Sequence, residues 1–184
     1  VSPSLPKLAD PTAVIRAGGL PERTVPICLA LDLVEEYEEL LREAEQPAES
    51  NSLAGSPKKP TAELDALKAQ MLASTVEFRL RAMPRPKFKA LKRDHPPRKG
   101  EDGAPVPRDA MLGVNEDTFF EPLLRASLVD PVLDETTFRL LVDEKLSDGQ
   151  FEQLTDVAWA LNVRRIDLPF SYAGSKTTTS SDAG

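Results

Sequence analysis

The chain has 184 residues, 40% of them hydrophobic but only 5% aromatic, with 17 prolines that cluster outside the periodic segments; that suits one domain with a modest core and flexible ends. A net charge of −7 argues against a general nucleic-acid binder. The single Cys28 excludes an intramolecular disulfide and the single His95 excludes any multi-histidine metal site, a pattern that fits a reducing cytosolic compartment.

Residues 1–24 carry Pro3, Pro6, Pro11 and Pro21 with no sustained period and read as a flexible arm. Val25 to Leu31 is short and apolar, and Pro26 makes it an edge strand or a strand start. Asp32 stands at an N-cap position, followed at helical spacing by Leu33, Tyr37, Leu40, Leu41 and Ala44. The opposite side of that helix is acidic: Glu35, Glu36, Glu38, Glu39, Glu43 and Glu45. Residues 47–60 are a linker by composition. Thr61 caps a second helix whose stripe is Leu64, Leu67 and Met71.

Thr75 to Met83 alternates Val76, Phe78, Leu80 and Ala82 with Glu77, Arg79 and Arg81, the pattern of a half-buried strand with a charged outer face. Its expected partner is Val25–Leu31. The resulting two-stranded ribbon would need helices on its apolar side. Pro84 and Pro86 open a short helix bearing Phe88 and Leu91, which His95-Pro96-Pro97 ends. Residues 98–112 read as a loop. Three helices then follow, carrying Phe119, Leu123, Leu124 and Ser127, then Phe138, Leu141 and Val142, then Phe151, Leu154, Val157, Ala158 and Leu161. Asn115 or Glu116, Asp134 and Ser147 start them, and their short connections predict a small antiparallel bundle. Residues 166–184 read as a disordered tail. The fold class is therefore α+β and mostly helical, with a small antiparallel two-stranded ribbon packed on a helical bundle and a single domain over residues 25–165.

No apolar run approaches the roughly 20 residues that span a bilayer, and the N-terminus lacks the basic-then-apolar pattern of a secretion signal. A soluble chain without membrane partners is expected. No constellation points to an enzyme or a cofactor. His95 has Asp94 beside it but no nucleophile in a helpful context, and only folding could bring Cys28 to it. Asn115-Glu116-Asp117 looks like a ligand cluster but stands where a helix N-terminus takes acceptors. Gly18-Gly19 lacks the flanks of a phosphate loop.

What remains is charge. Residues 79–99 hold Arg79, Arg81, Arg85, Lys87, Lys89, Lys92, Arg93, Arg98 and Lys99 against Asp94 alone. This run and the acidic first helix read as two solvated faces that attract each other within the fold or between copies. Arg79, Arg81, Arg85, Lys87 and Lys89 are the candidate partner-binding cations. Phe78 and Phe88 interleave with them, yet both fall on the apolar face of their element and read as core rather than as base-stacking platforms. Trp159 joins the candidates because it lies roughly 140° from the centre of its helix stripe at 100° per residue. Either that helix is buried on two sides, or Trp159 meets a partner.

The order of these segments resembles the tail assembly chaperones of long-tailed, siphovirus-type phages of actinobacteria. The residues that carry it begin with Val25-Pro26-Ile27-Cys28-Leu29-Ala30-Leu31-Asp32-Leu33, an acidic helix, a linker and a second helix. Then come Val76-Glu77-Phe78-Arg79-Leu80-Arg81, Arg85-x-Lys87-Phe88-x-x-Leu91 and His95-Pro96-Pro97. Asn115-Glu116-Asp117-Thr118-Phe119-Phe120 leads to Leu123-Leu124 and Ala126-Ser127, and Asp130-Pro131, Ser147-Asp148-Gly149-Gln150-Phe151-x-x-Leu154 and Ala160-Leu161-Asn162 complete the series. The likeness covers about Val25 to Arg165. The arm before Pro26 and the insert around Gly100–Pro107 lie outside it.

The resemblance implies a non-catalytic protein that binds the long, helical, aggregation-prone tape measure protein during tail-tube assembly. It is similar in role to the phage lambda chaperone pair, so this chain would be the shorter product of a frameshifted gene pair, with the longer form as a second partner. It implies action in the host cytoplasm and absence from the mature virion. The alternative is a structural head–tail or tail-completion protein retained in the particle.

Overall fold

Strand β2 (Thr75–Arg81) lies at the centre of the sheet. A computed structural model of the chain describes residues 10–45 and 61–165 and places β2 between β1 (Glu22–Cys28) and β3 (Leu128–Asp130), antiparallel to both. The alternation in β2 turns Phe78 and Leu80 fully inward, and Val25 and Ile27 of β1 join them. Val25 stands opposite Phe78 and Ile27 opposite Val76. Glu77, Arg79 and Arg81 face solvent. β1 is an edge strand, where Pro26 need not interrupt a hydrogen-bond ladder.

Helices cover the apolar face. α6 (Glu116–Ser127) and α8 (Asp148–Val163) pack on each other and on the strands. They contribute Phe119, Leu123, Leu124, Leu154 and Ala158 to the core. α7 (Glu135–Leu140) adds Phe138, and a π-helical turn, Leu141–Lys145, adds Leu141. α6, α7 and α8 start at the caps their sequence supplies. Asn115 accepts from the Asp117 N–H at 3.0 Å and Asp134 from the Thr137 N–H at 2.7 Å. Ser147 and Gln150 form a reciprocal capping box. Between β2 and α6 runs α4 (Arg85–Asp94), entered through Pro84 and ended at His95 before Pro96.

α2 (Leu31–Glu45) and α3 (Thr61–Ala73) form a hairpin that leaves the sheet where β1 ends and β2 begins. Half-buried Leu33, Tyr37, Leu40 and Leu41 and buried Leu67 hold it together, and Leu29 N–H donates to the Ser74 carbonyl at 3.0 Å across its base. Asp32 falls inside the first turn of α2 rather than at its N-cap, where its charge still meets the positive end of the helix dipole.

The molecule is thus a mixed α+β protein, dominated by helix, with a three-stranded antiparallel sheet. Several expectations are corrected. The ribbon has a third strand, β3, too short to show any alternation. The C-terminal helices form a layer on the sheet rather than a bundle of their own. The arm expected over residues 1–24 contains α1 (Pro11–Ala17) and the start of β1; α1 is capped by Asp10 and buries no side chain. The loop expected over residues 98–112 contains a Lys99–Pro105 bridge and α5 (Pro107–Leu112). The linker at residues 47–60 and the tail at residues 166–184 lie outside the described residues.

Candidate partner-binding surface

The basic run from Arg79 to Lys99 divides into cations committed to the fold and cations left in solvent. Arg79 and Arg81 stand on the outer face of β2 and share Glu22 of β1, Arg79 at 3.9 Å and Arg81 in a direct hydrogen-bonded pair. Such exposed cross-strand pairs contribute little. Lys92 lies over the Trp159 ring at 5.6 Å and donates to the Leu112 carbonyl at 3.4 Å. Arg93 meets only its neighbour Asp94, at 3.8 Å. Arg85, Lys87 and Lys89 project from α4, exposed and without an ion pair among the described residues. Phe88 and Leu91, on the other side of α4, pack against the core, as the spacing predicts.

Arg98 has a different role, one that sequence reasoning missed. Its Nε and Nη2 each donate to Asp109 at 2.8 Å, and its backbone N–H adds a third bond at 2.9 Å. The Glu116 N–H reaches the same carboxylate at 3.3 Å, and Nη1 of Arg98 pairs with Asp117. Asp109 is completely buried. Four donors hold its carboxyl well below the usual carboxylate range, the Arg98 side chain first, although burial alone would raise it. The same bonds push the Arg98 guanidinium above its ordinary value. The pair ties the segment after α4 and helix α5 to the N-terminus of α6. Gly113 closes α5 in the left-handed region at φ 70°, a conformation that suits glycine. The only sequence signal was an arginine and an aspartate flanking a turn-rich insert.

Trp159 belongs to a cluster of aromatic rings. Its ring centroid lies 5.7 Å from Phe119, 5.9 Å from Phe88 and 6.1 Å from Phe120, with edge-on or tilted geometry. α8 is therefore packed on a second side, which accounts for the off-stripe tryptophan. The residue remains half-buried, and it borders an open groove of about 550 Å³ between α5, α6 and α8. A second groove, about 230 Å³ and lined almost wholly by apolar side chains, runs between the sheet and α7 past Leu29, Val76, Pro131, Leu133 and Leu140.

The other candidates take structural places. His95 caps the C-terminus of α4, shares a 3.0 Å hydrogen bond with the Thr118 hydroxyl and meets Phe119 edge-on. Cys28 faces the Met71 carbonyl at 3.5 Å, at the base of the helical hairpin. Glu116 and Asp117 sit in the first turn of α6. Among the described residues no ion pair joins the acidic α2 to the 79–99 run. None of their His, Cys, Asp and Glu side chains form a group able to hold a metal, and none of their helices is long and apolar enough to cross a membrane. Neither family models, curated proteins nor solved structures match the chain.

Proposed function

We propose that this chain is a phage tail assembly chaperone that binds the tape measure protein and keeps it soluble while the tail tube assembles. The observation that carries the reading is the order of sequence motifs from Val25 to Arg165. The groove between the sheet and α7 supports it, because an apolar trough suits the ridge of an amphipathic helix, and many copies along one rod-like client add their affinities. The exposed cations Arg85, Lys87 and Lys89 are a second contact surface, for the client or a neighbouring copy. The chain acts in the host cytoplasm by binding, without cofactor or covalent chemistry. It is the shorter product of a frameshifted gene pair and works beside the longer form.

Co-expression with the tape measure protein of the same genome tests this. The client is expected in the soluble fraction, co-purifying with the chain. A client that stays insoluble, or is equally soluble alone, would contradict it.

A further inference from the structure

The groove beside Trp159 has a largely acidic rim, with Arg108 as the cation among its lining residues. Its floor is apolar and partly open: Phe120, Phe151 and Trp159 are half-buried, and Met111 is 80% exposed. Along one bank, Asp148, Glu152 and Asp156 recur at i, i+4 and i+8 on α8, a single row of carboxylates about 12 Å long. Asp148, in the first turn, meets the positive end of the α8 dipole, whereas Glu152 and Asp156 are like charges at a spacing that disfavours the helix carrying them. The facing bank, on α6, adds Glu121. None of these four carboxylates makes an ion pair among the described residues, whereas Glu116 and Asp117 at the end of the groove are matched by Arg108 and Arg98.

We infer that this groove is a docking site for a cationic amphipathic helix of a partner protein, one with an apolar ridge flanked on both sides by Lys or Arg. The ridge fills the aromatic floor, and the flanking cations meet Glu152 and Asp156 on one side and Glu121 on the other. The row of carboxylates matches about two turns of such a helix. A second copy of this chain offering α4 fits less well. α4 has the charge, but its apolar residues Phe88 and Leu91 are packed against its own core and cannot supply a ridge. The inference holds whether or not the partner is the tape measure protein.

Trp159 is the chain's only tryptophan and reports on the groove directly. The full chain is titrated with three tryptophan-free peptides of about 18 residues, long enough to form a helix on binding. One has a leucine ridge flanked by lysines, one has the same ridge flanked by glutamates, and one has the lysines with serines in place of the leucines. Trp159 emission should respond to the first peptide at micromolar concentration and require about tenfold more, or beyond, of the other two. Glu152→Lys with Asp156→Lys should weaken the first peptide by about tenfold, whereas Glu35→Lys with Glu38→Lys on α2 should leave its affinity unchanged.

Equal binding of the glutamate-flanked peptide, no response to the lysine-flanked one, or equal loss in the α2 variant would overturn the inference. So would a salt-sensitive dimer of the free chain that the α8 variant abolishes and the peptide fails to disperse, which would assign the groove to a second copy. The peptide comparison on the unmodified chain decides the matter even where a variant folds poorly.

Discussion

Arg98 and Asp109 meet in a two-pronged ion pair, 2.8 Å at each prong, with the carboxylate wholly enclosed. Because folding lowers the Asp109 pKa, the ionised carboxylate favours the native state above the ordinary aspartate value of about 3.9. That contribution is lost as the pH falls below it toward the folded value. Thermal melts should therefore show falling stability from about pH 4 downward. Asp109→Asn should melt lower at neutral pH and show a shallower acid decline than the parent. An unchanged acid slope in the variant would remove Asp109 from the explanation.

The basic run should separate into two groups by mutation. Arg85→Glu, Lys87→Glu and Lys89→Glu together change only exposed cations without an ion pair among the described residues, so each should alter stability by about 0.5 kcal/mol or less. The triple variant should keep the parent's circular dichroism and melting curve while losing client solubility or self-association. Arg98→Ala should do the reverse, lowering the melting point by leaving Asp109 buried without its partner. Unchanged client solubility and self-association in the triple variant would show that the α4 cations do not form a contact surface.

Two serines should respond differently to removal of the hydroxyl. The Ser147 hydroxyl accepts from the Gln150 N–H at the start of α8, so Ser147→Ala should cost about 1 kcal/mol in denaturant unfolding. The Ser127 hydroxyl is buried with no hydrogen-bond partner among the described residues. Ser127→Ala removes an unsatisfied group and should be neutral or stabilising by up to about 1 kcal/mol.

Phe119 is fully buried and touches Phe88, Phe120, His95 and Trp159 edge-on. Phe119→Ala should destabilise the chain by about 3–5 kcal/mol and shift Trp159 emission to the red as water reaches the cluster. Loss of stability without a spectral change would mean that Trp159 is sheltered by other neighbours.

The inward faces were legible in the sequence because period and burial coincide. Phe78 and Leu80 alternate in a strand, and Phe119, Leu123, Leu124, Leu154 and Ala158 repeat at helical spacing. Asn115, Asp134 and Ser147 were legible as starts because a helix N-terminus needs a side-chain acceptor. β3 was not, because three residues between a helix and Pro131 have no room for a pattern. α1 was hidden because none of its side chains is buried, and α5 because a six-residue helix in a Pro- and Gly-rich insert has little room for a period. Asp109 was invisible because burial of a carboxylate depends on donors brought from Arg98 and Glu116 by the tertiary fold. Trp159 was recognisable as off-stripe, but only the packing of Phe88 and Phe120 against it explains why.

The proposed chaperone leaves the tail before the particle is complete. Quantitative mass spectrometry of infected-cell lysate and of purified virions tests it most directly. The expected result is an abundant chain in the lysate and its absence from the virion, with the tape measure protein present in both. Stoichiometric recovery of the chain from purified virions would contradict the chaperone reading and favour a structural tail protein.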